Sequence, residues 1–205
     1  MQQNRENSKV SSRKDIILRE AAKLFREKGY SGTTLRELAR NSGVQGGSIY
    51  HHFSSKQEIL CQIMECTMDN LITSVTDIIN KEADPSEKLR KAVRFHIEFH
   101  TTDTNETFVT DSELRSLDTV NYEKIVGMRD RYEQVYIQIM KDGVSSGKMK
   151  IDDVKLTAMA LLQMCTGVSY WFNPNGSLEI TEIADKYIDL LLWGITGNKK
   201  ITSHA

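Results

Sequence analysis

The stretch TTLRELARNSGVQGGSIYHHFSSKQEIL, residues 33–60, decides the fold, because it contains two short amphipathic segments and the start of a third. Thr34 followed three residues later by Glu37 is the capping-box pattern that begins a helix. Gly43 suits the left-handed turn that ends one. The stretch therefore predicts two helices separated by a tight turn, the second over residues 45–52, as in a DNA-reading helix-turn-helix.

The second predicted helix has a polar outer face with little bulk at its start. Ile49 and Phe53 are its expected inward residues. Gly46 and Gly47 each cost about 1 kcal/mol in a helix interior relative to alanine, so two in succession indicate a close approach of the backbone to another molecule. A DNA backbone or base edge fits this requirement, and the alternative is a loose loop without a partner.

A further helix begins at once, because Ser55 and Glu58 repeat the capping-box spacing. Its apolar stripe continues without a breaker. The stripe consists of Ile59, Leu60, Ile63, Met64, Met68, Leu71, Ile72, Val75 and Ile79. One helix is thus predicted to run from the reading segment into the rest of the chain, so that a shift at its far end would tilt the reading segment.

The first helix is predicted to open at Ser12 and Asp15 and to end at Gly29-Tyr30. Its expected inward face consists of Ile17, Ala21, Leu24, Phe25 and Lys28. Residues 1–11 are polar and are expected to form a disordered arm.

Residues 12–60 resemble the DNA-binding domain of the TetR family of bacterial transcriptional regulators, through LFREKGY, TTLRELARNSGV and GGSIYHHFSSKQEIL. The resemblance implies phosphate contacts by Thr34, Tyr50 and Lys56. It places a further set near bases or backbone, namely Arg36, Gln45, Gly46, Gly47, Ser48, His51 and His52. It also implies a dimer that reads an inverted-repeat DNA operator in major grooves about 34 Å apart.

Composition is that of an ordinary globular protein, with 39% hydrophobic and 27% charged residues. Residues 1–60 hold 11 Lys or Arg against 6 Asp or Glu, whereas the remainder is acidic. A basic segment before an acidic body is typical of a DNA-binding domain joined to another domain. The sequence has no apolar run of membrane length and no signal region, so a cytoplasmic protein without membrane contact is expected.

No pattern in the sequence indicates an enzyme, a cofactor or a metal site, because nucleophile-elbow, phosphate-loop, dinucleotide and zinc-ligand motifs are absent. Cys61, Cys66 and Cys165 lack a disulfide or C-x-x-C spacing and are expected to be buried and reduced. An architectural DNA-binding protein that needs no palindrome remains an alternative to a regulator.

The body is predicted to begin a new helix at Ser86, after a boundary at residues 83–86, with an inward face of Leu89, Val93, Phe95, Ile97 and Phe99. His96 and His100 share one face of this helix. They are interpreted as a pocket wall or a surface pair rather than a metal site, because HIEFH lacks the zinc-hydrolase order. Residues 101–108 should interrupt the pattern.

Residues 111–149 are predicted to form a short helix and then a long one that ends near Gly143 to Gly147. Arg131 and Tyr136 stand out there beside several candidate ligand contacts. The candidates from the whole body are His96, His100, Glu113, Arg115, Arg129, Tyr132, Gln163, Tyr170 and Trp171. For each one the alternative is an ordinary solvated helix face.

Two more helices are predicted, one capped by Asp152 or Asp153 and one over residues 180–195, separated by a firm turn at residues 173–176. The last helix is apolar over a broad arc, which indicates a subunit interface. The resemblance implies that the last two helices form a four-helix bundle with a second copy.

The C-terminal part is similar to the branch of the family that responds to acyl-CoA thioesters, through Tyr170-Trp171-Phe172, Pro174, Gly176-Ser177-Leu178, Tyr187 and Gly194-Ile195-Thr196, together with GGSIYHHF near the N-terminus. The contacts to CoA cannot be assigned residue by residue. The predicted function is a repressor that releases its operator on binding such a small-molecule inducer. The alternative inducer is a drug-like hydrophobic compound, in a repressor of an efflux or stress gene.

The predicted fold is all-α, with an N-terminal three-helix helix-turn-helix domain joined by a continuous helix to a helical ligand-binding and dimerisation domain. The predicted divisions are the arm at 1–11, the DNA-binding domain at 12–60 with its reader at about 34–53, the ligand-binding and dimerisation domain at 61–198, and a flexible tail at 199–205.

Overall fold

The computed structural model describes residues 12–43, 49–102 and 104–196, with side chains as far as residue 190. Within these ranges every regular element is a helix, which confirms the predicted fold class. The helices are α1 Arg13–Gly32, α2 Leu35–Asn41, α3 Lys56–Ile79, α4 Pro85–Thr101, α5 Asn105–Ser112, a 3-10 helix Leu114–Ser116, α6 Thr119–Ser145, α7 Val154–Thr166, α8 Val168–Trp171 and α9 Ile180–Thr196.

The chain packs as two compact units. The first contains the residues up to Cys66 together with Asn105–Glu123, and the second contains Thr67–Thr104 and the residues from Lys124 onward. The predicted boundary at residues 60 and 61 follows the chain linearly, whereas the first unit also takes in α5 and the 3-10 helix because α5 packs on α1. Helices α3 and α6 each begin in the first unit and continue into the second.

The caps and breaks of α1 follow the predicted pattern. Ser12 and Asp15 form a capping box, in which the Asp15 N–H donates to Ser12 Oγ (3.2 Å) and the Ser12 N–H to Asp15 Oδ2 (3.0 Å). Gly29 interrupts the helical path with a φ of 74°. Lys28, predicted to face inward, is exposed instead, because its ammonium group pairs with the carboxylate of Glu37.

Helix α2 begins at Thr34, whose hydroxyl accepts the N–H of Glu37 at 3.2 Å. The Glu37 carboxylate accepts from Lys28, so the capping interaction runs in one direction only. Gly43 has a φ of 66°, as its predicted turn requires. Val44 and the first half of the predicted helix over residues 45–52 lie outside the described residues.

Helix α3 confirms the continuous apolar stripe, since Leu60, Met64 and Val75 are among its fully buried residues. Ser55 Oγ accepts the N–H of Glu58 at 3.1 Å. The Glu58 carboxylate accepts hydrogen bonds from the N–H and the hydroxyl of Ser54 rather than from Ser55.

Helix α4 is the centre of the second unit and packs against α7, α8 and α9. Its cap is Asp84, which accepts the N–H groups of Ser86 and Glu87. The helix therefore begins at Pro85, just before the predicted start at Ser86. Asn105 already begins α5, so the predicted interruption over 101–108 is shorter than expected.

The buried face of α4 differs from the predicted one. It consists of Leu89, Ala92, Val93, His96, Ile97 and His100. Phe95 and Phe99 are only half-buried, so two aromatic positions expected inside are replaced by two histidines. Asp153 caps α7, as predicted. Among the described helices, none combines the length and the apolar character that a bilayer crossing needs.

Candidate DNA-binding surface and buried polar chain

Four of the six predicted DNA-reading side chains that the structure describes are exposed on the first unit. Thr34 and Arg36 are exposed at the start of α2, and Tyr50 and His51 are exposed after the turn, with Tyr50 at 62% exposure. His52 is half-buried. Gln45, Gly46, Gly47 and Ser48 lie outside the described residues. The exposed groups supply hydroxyl and cationic donors of the kind that contact phosphates and base edges.

Lys56, predicted to hold a phosphate, directs its ammonium group into the protein. The Nζ atom donates to the carbonyl oxygens of Tyr30 and Thr33, both at 2.7 Å, and lies 4.2 Å from the centre of the Tyr30 ring. Withdrawal from water lowers the pKa of Lys56, and the nearby Glu113 carboxylate raises it. This lysine therefore stabilises the turn between α1 and α2.

A second set of hydrogen bonds fixes the same turn from residues distant in sequence. The Tyr30 N–H donates to Glu113 Oε1 at 3.1 Å. Gln57 Nε2 donates to the Tyr30 hydroxyl (2.8 Å) and to the Ser116 carbonyl (2.7 Å), while Gln57 Oε1 accepts the Asp118 N–H at 2.8 Å. Partial burial raises the pKa of the Tyr30 hydroxyl, the Gln57 hydrogen bond lowers it and the Asp118 charge raises it. Glu113, predicted as a ligand contact, thus belongs to the first unit.

The second unit contains a buried chain of polar side chains centred on His96. Its Nδ1 lies 3.0 Å from the Tyr132 hydroxyl and its Nε2 lies 2.9 Å from Thr166 Oγ1. The Tyr132 hydroxyl lies 2.9 Å from that of Tyr136, which donates to the carbonyl of Ala92 at 2.9 Å. We call these four side chains the His96 chain, and it brings together residues from α4, α6 and α7.

Burial dominates the electrostatics of the His96 chain. It holds the pKa of His96 well below the usual value, and the charge of His100, whose ring centre is 4.4 Å away, lowers it further. The imidazole is therefore neutral at pH 7. Burial also raises the pKa values of the Tyr132 and Tyr136 hydroxyls, so both stay protonated and able to donate.

The three cysteines differ in accessibility. Cys61 and Cys165 are buried, whereas Cys66 is exposed on α3. Burial raises the pKa of Cys165 to about 12, which keeps it a thiol. The predicted burial is therefore confirmed for Cys61 and Cys165 and wrong for Cys66.

The remaining predicted ligand contacts do not join the His96 chain. Arg115 is exposed in the first unit, and Arg129 is half-buried. Gln163, Tyr170 and Trp171 are exposed on the second unit, with Tyr170 at 77% exposure. Within the described ranges no group of three or more potential metal ligands occurs.

Each of the two sites is only partly predictable from the sequence. Thr166 was not predicted in the His96 chain, and Gln57 was not predicted beside Tyr30. The two tyrosines of α6 and the two histidines of α4 share the same four-residue spacing, and this signal was available in the sequence. Nothing in the local sequence of Gln57 indicated its contacts.

An apolar strip also remains exposed on α7. Leu156 and Met159 lie one turn apart on one face, followed by Ala160 and Gln163, and Leu156 is 63% exposed. Leu190 of α9 is exposed as well. Exposed apolar side chains grouped on one helix face are candidates for contact with another molecule.

Comparison with known proteins covers both units. The family described as "Bacterial regulatory proteins, tetR family" matches residues 17–63, and the family described as "Tetracyclin repressor-like, C-terminal domain" matches residues 82–195. The HTH-type transcriptional repressor KstR2 of Mycobacterium tuberculosis is 29% identical over 192 residues, which cover 91% of this chain and 94% of that protein.

Two solved structures of similar proteins contain acyl-CoA ligands. The structure of AibR in complex with isovaleryl coenzyme A and operator DNA has a TM-score of 0.82 and 27% identity, and the match covers 88% of this chain and 98% of that one. FadR from Bacillus subtilis in complex with stearoyl-CoA has a TM-score of 0.76 and 26% identity, with the same coverages of 88% and 98%.

The family matches over both parts of the chain and the similarity to these regulators define a ligand-responsive DNA-binding regulator. The chain belongs to the TetR family of transcriptional regulators, whose members are not enzymes.

Proposed function

We propose that the chain is a homodimeric repressor that binds an inverted-repeat operator and releases it on binding an acyl-CoA thioester. The observation that carries this proposal is the match to AibR, because one fold there holds both isovaleryl coenzyme A and operator DNA. The FadR complex with stearoyl-CoA supports the same ligand class with a much longer acyl chain. The shared feature is the CoA thioester, so the acyl group of this chain's inducer is a separate question.

The proposed operator contacts use the exposed groups of the first unit. Thr34 and Tyr50 supply hydroxyl donors for phosphates, and Arg36 supplies a guanidinium group that can donate two hydrogen bonds to a guanine edge. Gln45, Gly46, Gly47, Ser48, His51 and His52 complete the proposed reading surface.

The proposed dimer uses the exposed apolar strip of α7 together with α9. Leu156, Met159 and Leu190 would lose their contact with water in such a pairing, which is favourable at about 25 cal/mol per Å² of apolar surface. A two-fold dimer also presents two reading units in the symmetry of an inverted repeat.

The proposed ligand site lies in the second unit near the His96 chain. The hydrogen bonds of the His96 chain are made within the protein, since the Tyr136 hydroxyl donates to the Ala92 carbonyl and accepts from Tyr132. In this proposal the chain therefore holds α4, α6 and α7 in place beside the ligand rather than binding the thioester carbonyl itself. Ligand binding would lower operator affinity only through unequal binding to the two states of the protein, typically 1–3 kcal/mol of coupling.

The experiment that tests the proposal is sequencing of genomic fragments retained by the purified protein at moderate salt, with and without a series of acyl-CoA thioesters. A shared inverted repeat that is lost on adding one acyl-CoA, but not on adding free CoA, would support it. Retention without a shared site would favour an architectural protein. A shared repeat beside an efflux gene, unaffected by every thioester, would favour a drug-like inducer.

Two variants separate positioning from sequence reading. Tyr50→Ala should weaken binding to all DNA sequences alike, whereas Arg36→Ala should change the preference among operators by about 1–3 kcal/mol at one base pair. Lys23→Ala, which removes an exposed cation from α1, is the control for lost charge. Wild-type affinity and preference in both variants would contradict the assignment.

A further inference from the structure

The ammonium group of Lys56 is held at the turn that leads into the DNA-reading segment. Its Nζ atom is 2.7 Å from the carbonyl oxygens of Tyr30 and Thr33. An ammonium group has three donors, and two of them are directed to the main chain here. Removing this lysine would leave two carbonyls at the turn without their charged donor.

These carbonyls belong to the residues that set the direction of α2. Gly29 breaks α1, and Thr33 directly precedes Thr34, the cap of α2 and a proposed phosphate contact. The Thr33 hydroxyl donates to the Gly29 carbonyl at 3.0 Å, so its side chain is fixed as well. A displacement of the Thr33 peptide would therefore displace both Thr34 and Arg36.

Tyr30 is fixed at every polar position. Its N–H donates to Glu113, its carbonyl accepts from Lys56, its hydroxyl accepts from Gln57, and its ring packs under the Lys56 ammonium group. Glu113 is itself held, because its carboxylate accepts the hydroxyl of Ser116 at 2.5 Å. We call Lys56, Gln57 and Glu113 the Tyr30 clamp.

We propose that the Tyr30 clamp is a set of positioning residues for operator binding, in which Lys56 acts on the protein main chain rather than on a DNA phosphate. The inference rests on the proposed operator-binding function. It assigns Glu113, an anion 83 residues away from Tyr30 in sequence, a favourable role in binding a polyanion. Charge alone predicts the opposite effect, namely that a carboxylate in the DNA-binding unit weakens binding to DNA.

The first test measures whether removal of the Glu113 carboxylate weakens or strengthens operator binding. Glu113→Ala removes a negative charge from the DNA-binding unit, so simple electrostatics predicts tighter operator binding. The clamp predicts affinity about tenfold weaker, because the Tyr30 N–H loses a charged acceptor. Glu113→Gln keeps an oxygen that can accept this N–H and should restore most of the affinity. Operator binding by Glu113→Ala as tight as wild type, or tighter, would overturn the proposal.

The second test uses the salt dependence of operator affinity. Loss of one phosphate contact lowers the slope of log affinity against log salt by about 0.9. Lys56→Met keeps the apolar stem and should weaken binding about tenfold without lowering the slope. Lys56→Arg should not restore the wild-type affinity, because the planar guanidinium group cannot replace a compact ammonium between two carbonyls. At a phosphate contact, by contrast, arginine would serve as well as lysine.

The outcomes are separable from those of the proposed function. If the wild-type protein selects no operator, the proposed function fails. The clamp is rejected if the wild type binds its operator and Lys56→Met lowers the slope of log affinity against log salt by about 0.9. It is also rejected if Lys56→Arg binds the operator like wild type. Lys23→Ala is the matched control for a lost cation, and urea unfolding of each variant checks that the DNA-binding unit is folded in the assay.

Discussion

At the scale of single residues, Gly29 is the position where backbone conformation restricts the sequence most clearly. Its φ of 74° and ψ of 160° lie in a region that a side chain occupies at a cost of about 1–3 kcal/mol. We expect Gly29→Ala to lower the free energy of unfolding by that amount, measured by urea denaturation. Space is not the reason, since an added Cβ would lie 3.7 Å from Glu113 Oε1.

Gly127 offers the matched comparison, because it lies inside α6 where an added Cβ meets no other atom within 4 Å. Gly127→Ala should raise the free energy of unfolding by about 0.5–1 kcal/mol, since alanine has the higher helix propensity. Equal effects of the two substitutions would show that the backbone at Gly29 is not strained for alanine. The glycine that interrupts α1 could be predicted from the sequence. The outward position of Lys28 could not, because helical spacing does not reveal its partner Glu37.

At the scale of helices, the His96 chain links α4, α6 and α7 and should make stability depend on pH. The unfolded chain binds a proton at His96 below about pH 6.5, whereas burial keeps the folded imidazole neutral to a lower pH. Stability should therefore be constant above pH 6.5 with respect to this group. It should fall on acidification, by at most about 1.4 kcal/mol per pH unit, until the pH reaches the pKa of the folded state.

Urea denaturation between pH 7.5 and 5.5 measures this slope. His96→Gln should be less stable than wild type at pH 7.5 and should show a flatter dependence on pH. His51→Gln, which removes an exposed imidazole from the first unit, should keep the wild-type slope. An undiminished slope in His96→Gln would place the responsible proton elsewhere.

The helices themselves could be predicted from apolar periodicity, which placed the continuous α3 and the long α6 correctly. The buried face of α4 could not be predicted in full. Hydrophobicity favours Phe95 and Phe99 over two histidines, yet His96 is buried because Tyr132 and Thr166 supply its hydrogen bonds. A buried polar group depends on partners from other helices, which a single helical pattern does not contain.

At the scale of the whole molecule, the proposed dimer depends on the exposed strip of α7. Leu156→Asp places a charge at an apolar position that is 63% exposed in the single chain. We expect it to shift the protein from dimer to monomer and to weaken operator binding at least tenfold, because burial of an unpaired carboxylate in an interface is costly. Analytical ultracentrifugation and operator titration measure the two effects.

Val120→Asp is the control for this substitution. Val120 is 76% exposed and lies at the start of α6, in the first unit rather than in one of the proposed interface helices. It should leave the sedimentation coefficient unchanged. A Leu156→Asp protein that remains dimeric would move the interface away from this strip.

The grouping of the chain into two units depends on contacts between residues that are distant in sequence. The order of helices and the basic N-terminal segment predicted a DNA-binding domain followed by a helical body. The inclusion of residues 105–123 in the first unit depends on contacts such as Tyr30 with Glu113, which no local pattern indicates. For the same reason Glu113 was assigned to a ligand site.

The different accessibility of the cysteines gives the protein a native attachment point for a fluorophore. Cys66 should react with a maleimide dye, while Cys61 and Cys165 are shielded by burial and Cys165 also by its raised pKa. The dye would then sit on α3, a helix that begins in the first unit and continues into the second, without any engineered substitution. Its emission would report on changes around that helix as DNA or a thioester is titrated in.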